Sequence, residues 1–245
     1  MIEIKLPTKL VKSSTSNPKL MLMYSPPKTG KTTLLAKLDN CLIIDLEDGA
    51  KYLDALKINV NSLEELQAVG TEIVKAGKPY KYVAIDTLTR LEEMCLPVAK
   101  AMYKKSPMGK NFDGDSVLEL ANGAGYLWLR KAFQLWLGKI KHLADHVILV
   151  GHIKDKFIEK KGKEVQAKDI DLTGKLKQIT CSDADAIGYL HRGDNNELLL
   201  NFQSSDVINC GARPSHLKGK EIVMAEYDEK NNDLKNVAWD KIYVD

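Results

Sequence analysis

The chain has 245 residues, 44% hydrophobic and 28% charged, with a formal net charge of +3 and a pI near 8.5. That is an ordinary composition with enough apolar matter for a sizeable core, long for one domain but normal for an α/β domain with an embellishment. No apolar run nears the ~18 residues of a membrane span and no signal-peptide pattern opens the chain. Cys41, Cys95, Cys181 and Cys210 lack metal-ligand spacing, so the expectation is a non-membrane, cytoplasmic protein with reduced thiols.

Residues 1–18 open with an alternating stretch, Ile2–Leu6, and continue in a polar segment, Lys12–Pro18, that reads as a tether. Leu20–Ser25 predicts a strand and Lys31–Leu38 a helix. Between them, Ser25, Pro26, Pro27, Lys28, Thr29, Gly30, Lys31, Thr32 and Thr33 form a phosphate-binding loop in the place such loops occupy. The strand ends, the backbone turns around a pyrophosphate, and a helix begins with free N–H groups aimed at the anion. Lys31 reaches the β- and γ-phosphates of a nucleoside triphosphate in this arrangement, and Thr32 puts its hydroxyl on Mg²⁺. Ser25 stands where the motif ordinarily has Gly, and must hold its turn without a strongly positive φ.

Farther along, Cys41–Leu46 predicts an apolar strand ending in acid. Ser62–Ala76 predicts a helix, with Leu63, Leu66, Val69 and Ile73 at helical spacing and Ser62 and Glu65 as a capping box. Tyr82–Asp86 is a third strand, Thr87–Tyr103 and Tyr126–Leu143 are helices separated by a Gly-rich loop, and His146–Gly151 is a fourth strand. Phe157–Gln166 predicts a hairpin turning at Lys161-Gly162, Leu172–Thr180 a short helix, and Ala184–His191 and Glu197–Phe202 further strands. Residues 213–245 carry the weakest pattern, with Val237–Val244 able to dock on the body. Continuously apolar strands alternating with helices predict an α/β fold with a mainly parallel, twisted sheet covered on both faces. The hairpin and antiparallel strands lie toward the C-terminus.

In such a sheet, ligands sit at the carboxyl ends of the strands. Asp86 closes a strand and is assigned to the Mg²⁺ water shell; its other assignment is an N-cap for the helix that follows. Asp45 and Glu47 form a second acidic edge. A carboxylate beyond the γ-phosphate can orient and deprotonate an attacking water, and Glu47 is the chosen base; a solvated turn at Glu47–Gly49 is the other reading. His152 follows the fourth strand, placed either to sense the γ-phosphate or to serve structure alone.

Ser25–Thr33, Ile43–Glu47, Ile85-Asp86 and Val150–His152, in this order, resemble the RecA/RadA superfamily of P-loop ATPases. They are most similar to the short phage Sak-type ATPases of recombination and single-strand annealing, a phage nucleotide-binding AAA-like family. Ser25–Thr33 corresponds to the Walker A loop and Ile85-Asp86 to Walker B. The resemblance covers roughly residues 19–205 and implies a RecA-like ATPase core there, preceded by the tether and followed by an extension, 206–245, packed on the core. It implies ATP and Mg²⁺ as cofactors, Glu47 as the catalytic carboxylate, and His152 as the γ-phosphate sensor ahead of a DNA-binding loop. It further implies single-stranded DNA as partner, a homo-oligomer (filament or ring), and recombination or annealing in a bacterial host cytoplasm. A single-strand DNA-binding protein is a further partner that it suggests. His152 departs from RecA itself, which has an amide there. Ile2–Leu6 pairs either with a neighbour's sheet edge or within its own subunit.

Lysines cluster in two loops assigned to the nucleotide-facing side. Lys100, Lys104, Lys105 and Lys110 have no acid among them, and residues 154–168 hold Lys154, Lys156, Lys160, Lys161, Lys163 and Lys168 against three acids, a net +3. Tyr103, Phe112 and Phe157 are interleaved as stacking candidates; a solvated charged surface is the other reading. RecA-like ATPases usually complete the site with a basic group from a neighbouring subunit. Among Lys175, Lys177, Arg192 and Arg213, Arg192 is preferred as that trans-acting residue. A DNA helicase or packaging-type motor on the same core is the runner-up function. A small-molecule kinase would need an arginine-rich lid, and only four arginines are scattered here. A nucleotide-dependent interaction protein without turnover is the last alternative.

Overall fold

The computed structural model describes residues 6–13, 16–160 and 163–244. In chain order the elements are β1 (Leu20–Ser25), α1 (Lys31–Ala36), β2 (Cys41–Asp45), β3 (Lys57–Asn59), α2 (Leu63–Lys75), β4 (Tyr82–Asp86), α3 (Leu88–Lys104) and α4 (Gly125–Ile140). There follow β5 (His146–Lys160), β6 (Lys163–Ile170), α5 (Lys175–Asp183), β7 (Ala186–Arg192), β8 (Glu197–Asn201), β9 (Gly211–Ala212), β10 (Glu221–Asp228) and β11 (Asp233–Lys235). Strands β3, β2, β4, β5, β1 and β7 lie side by side in parallel. Beyond β7 the sheet continues antiparallel through β8, β10 and β11, while β6 pairs with β5 and β9 with β7. This is the α/β architecture that the alternating strands and helices predict.

Burial on both faces explains why the central strands read as unbroken apolar runs. All six residues of β1 are buried. Leu20, Leu22 and Tyr24 point into a core built with α2, α3, α4 and α5, and Met21 and Met23 into a second core on the opposite face. That second core is made by Leu34 and Leu35 of α1 together with Trp239, Ile242 and Tyr243 from the C-terminal stretch. The Ser62 hydroxyl accepts the Glu65 N–H at 3.1 Å and caps α2. The Glu65 carboxylate reaches back to the N–H of Asn61, one residue earlier than a standard capping box.

Three expectations need adjusting. The fourth core strand and the hairpin are not separate elements. β5 runs unbroken for fifteen residues, and its outer half pairs with β6 from Ile153↔Ile170 to Lys160↔Lys163. Gly151 allows the return strand to land there, because a Cβ at this position would come within 2.8 Å of the Ile170 side chain. The turn at Lys161-Gly162 lies outside the described residues, as do Ile2–Lys5 of the predicted N-terminal strand. The short helix starts at Lys175 rather than Leu172, after Gly174 at φ +53°.

Residues 213–244 fold against the helix that follows the loop. The Trp239 indole N–H donates to the Leu34 carbonyl at 2.9 Å, and Lys37 pairs with Asp233. The Asn17 amide exchanges hydrogen bonds with the backbone of Val244, at 2.6 and 2.9 Å, tying the tether to this stretch. Trp239→Ala removes a buried aromatic and its indole bond, and should cost about 3–5 kcal/mol, read as a lower midpoint in urea denaturation.

Candidate nucleotide-binding site

The parallel register brings four strand ends to one edge. Ser25 lies beside His152, Asp86 beside Val150, and Asp45 beside Asp86. A cavity of about 370 Å³ opens there, lined by Lys28, Gly30, Lys31 and Thr32 of the loop together with Asp45, Glu47, Asp86, His152 and Tyr52.

The left-handed positions of the loop fall on Lys28 (φ +60°) and Gly30 (φ +116°), so Ser25 is spared the conformation that would demand Gly. Ser25 is fully buried and its hydroxyl has taken on a polar task. It donates to the Pro26 carbonyl at 2.8 Å and accepts from Lys31 Nζ at 2.9 Å. Lys31 also donates to the Pro26 carbonyl at 3.2 Å, and Thr29 reaches the same oxygen at 2.8 Å. Burial lowers the Lys31 pKa, opposed by the charges of Asp86 and Glu47. Its hydrogen-bond acceptors are two neutral oxygens, the Ser25 hydroxyl and the Pro26 carbonyl.

Thr32 donates to Asp86 Oδ2 at 2.6 Å, joining the loop to the end of β4 across the sheet. Burial raises the Asp86 pKa, opposed by the Thr32 hydrogen bond and the charge of Lys31. A hydroxyl and a carboxylate in contact are two hard oxygen donors, the set that Mg²⁺ takes while keeping its other positions for phosphate and water. Among the described residues, no cluster of three or more His, Cys, Asp or Glu side chains could hold a metal without such help.

The two acids of the second strand part company. Asp45 is buried and accepts the N–H groups of Glu47 (3.0 Å) and Ala50 (2.7 Å), so it shapes the turn. Asp45 and Glu47 both line the cavity. Glu47 is the more exposed of the two. Its Oε1 accepts from the Thr87 hydroxyl at 2.5 Å and its Oε2 lies 3.2 Å from His152 Nε2. The His152 hydrogen bond lowers the Glu47 pKa, partly offset by burial, with Thr87 adding to the effect. Because a carboxylate accepts, His152 carries its hydrogen on Nε2; its Nδ1 is buried with no partner among the described residues.

Thr87 is absent from the sequence-level assignment, although its position directly after Asp86 signals it. Thr87, rather than Asp86, caps α3, accepting the Arg90 N–H at 3.5 Å. Tyr52 was also missed. It is 87% exposed and lines the cavity with Leu53, and a lone aromatic in a polar loop leaves no sequence signal.

The remaining candidates are dispersed. Lys104 ends α3, Lys105 caps it and Lys110 follows a short 3₁₀ turn, all exposed. Tyr103 and Phe112 pack edge to face at 5.2 Å, and Tyr103 also packs on Trp128, so these rings are committed to their own chain rather than free for bases. On the β5–β6 ribbon, Phe157 is 65% exposed and Lys154 pairs with Asp171 at 3.5 Å. The side chains of Lys156, Lys160 and Lys163, and Lys161 altogether, lie outside the described residues. Lys168 donates to the Tyr189 hydroxyl at 2.9 Å. Arg213 donates to Asp185 (3.1 Å) and to the Ser182 carbonyl (2.6 Å), and Asp185 receives the N–H groups that open β1. Arg192 ends β7, on the far flank of the loop.

A family model described as an AAA domain matches residues 17–214. The chain belongs to that family. The loop, the hydroxyl–carboxylate pair and Glu47 all lie within the matched residues. No curated protein matches the sequence. A structure titled "Crystal structure of the RadB recombinase" is similar at 16% identity, over 90% of this chain and 92% of that one, with a TM-score of 0.45. No helix among the described residues is long and apolar enough to cross a membrane.

The Glu47–His152 contact makes a pH test. The hydrogen bond from His152 keeps Glu47 ionised to lower pH than an ordinary glutamate. His152→Ala should move the acidic limb of the kcat/KM profile for ATP hydrolysis to higher pH. An unmoved limb would mean that another group titrates.

Proposed function

We propose that this AAA-domain protein is a RecA-like, Mg²⁺-dependent ATPase that binds single-stranded DNA as an oligomer and promotes homologous recombination or strand annealing. The observation that carries the ATPase reading is the 2.6 Å Thr32–Asp86 contact beside a Glu47 clamped from two sides.

Lys31 exchanges Ser25 and Pro26 for the β- and γ-phosphates, and Thr32 and Asp86 hold the metal. Magnesium supplies charge neutralisation to the phosphate oxygens. Glu47 accepts a hydrogen bond from the attacking water and aligns it with the γ-phosphate. A glutamate of lowered pKa is a weak base but a firm acceptor, which suits a loose transition state that needs orientation more than early proton removal. Thr87 and His152 fix both carboxylate oxygens, so little ordering is left for the reaction step. His152 is the last residue of β5 paired with β1 and precedes the ribbon that starts at Ile153, so a change at the γ-phosphate is felt at the base of the ribbon. That stretch of sequence holds Lys154, Lys156, Lys160, Lys161 and Lys163, an excess of positive charge that favours a nucleic-acid backbone.

Glu47→Gln should leave ATP binding intact and lower hydrolysis about 10²–10⁴-fold; unchanged turnover would remove Glu47 from the chemistry. Hydrolysis measured with and without single-stranded DNA, beside a strand-unwinding assay, tests the wider reading. Stimulation without unwinding is expected, and unwinding would favour a motor. The logarithm of DNA affinity should fall with the logarithm of salt by about 0.7 per neutralised phosphate. A salt-independent affinity would exclude backbone binding by these lysines.

A further inference from the structure

The sheet order separates the two flanks of the phosphate loop. Strands β5, β4 and β2, which deliver His152, Asp86 and Glu47, lie on one side of β1; β7 lies on the other and ends at Arg192. Gly30 sits at the turn between them. A Cβ there would lie 3.4 Å from Leu198 Cδ1 and 3.9 Å from Arg192 Nη2. The guanidinium therefore stands against the phosphate loop of its own chain.

Its other surroundings hold it there. Arg192 lies over the Tyr227 ring at 5.7 Å, and the Tyr227 hydroxyl is bonded to Asn232. An aromatic face orients a guanidinium without occupying its N–H donors. Arg90 and Arg213 each pair with a carboxylate. Among the described residues Arg192 has no such partner, although Arg is the side chain whose donor fork best matches phosphate.

We propose that Arg192 is a nucleotide-binding residue in cis: its guanidinium donates to the α- and β-phosphate oxygens held by the loop, and Tyr227 is a positioning residue that keeps it there. The assignment rests on the nucleotide reading above, and replaces the trans-acting role that a basic strand end suggests. The γ-phosphate belongs to the Glu47 flank, so the contact serves ATP and ADP alike. Because Tyr227 comes from β10, the C-terminal stretch becomes part of the nucleotide site.

Calorimetric titration of the full chain with ATP and with ADP, at several protein concentrations, tests this beside Lys31→Ala. Arg192→Ala should weaken both nucleotides about ten- to a hundredfold, with an unchanged melting temperature because the side chain is exposed. Tyr227→Leu should weaken both by a smaller factor. Mixing Arg192→Ala chains with Lys31→Ala chains, which keep Arg192 but lack their own nucleotide grip, should restore nothing. Three results would overturn the assignment: intact binding with lost hydrolysis, rescue in the mixture, or a loss confined to ATP. If the unaltered chain binds neither nucleotide, the nucleotide reading itself fails.

Discussion

The molecule depends on the complete burial of β1. A strand shut off from water on both faces must be flanked by hydrogen-bonded neighbours, since an unpaired buried N–H or C=O is costly. β5 and β7 supply that pairing. The alternation of its side chains then builds two cores at once, Leu20, Leu22 and Tyr24 on one face and Met21 and Met23 on the other. Such a strand is a rigid post. The chain leaves it at Ser25, so the phosphate loop inherits a fixed origin and direction, and everything chemical in the protein is measured from that point.

The same burial sets the electrostatics of the site. Lys31 and Asp86 both lose water, and each responds in the direction that disfavours its charge, the amine downward and the carboxyl upward. Each also opposes the other's shift. Without a ligand, the site is therefore a set of partly desolvated charges satisfied by modest partners, Ser25 and Pro26 for the lysine and Thr32 for the aspartate. In the proposed function, a phosphate chain with a divalent cation would supply what both lack. Glu47 is held differently: it is more exposed, and its two hydrogen bonds keep it ionised, which is the state an orienting acceptor needs.

Much of this was legible in sequence, and the reason is locality. The loop, the acid ending Tyr82–Asp86 and the helix cap at Ser62 follow from short-range pattern. Even so, a separation of two could not show that Asp45 spends its oxygens on the N–H groups of Glu47 and Ala50, while Glu47, lining the same cavity, is bonded to Thr87 and His152. Tyr103 and Phe112 looked like stacking platforms because an aromatic beside lysines carries no sign of what it packs on; they pack on each other. The continuity of β5 was hidden by a change of composition at Ile153, where the strand leaves the two-sided core and keeps its hydrogen bonds while losing its apolar coat.

The sequence by itself determined the strand–loop–helix unit, the class of ligand and the acids at the strand ends, because each is written within a few residues and obeys one period. Only the tertiary structure decided which groups meet. Thr32 and Asp86 are 54 positions apart and Glu47 and His152 are 105 apart, distances over which no periodicity carries information. The C-terminal stretch shows the limit most clearly. Its pattern was the weakest in the chain, yet it closes the second core through Trp239, grips α1 at Leu34 and Lys37, and sets Tyr227 beneath Arg192. Its residues answer to partners on other strands rather than to a period of their own, so their place becomes visible only when those strands are in position.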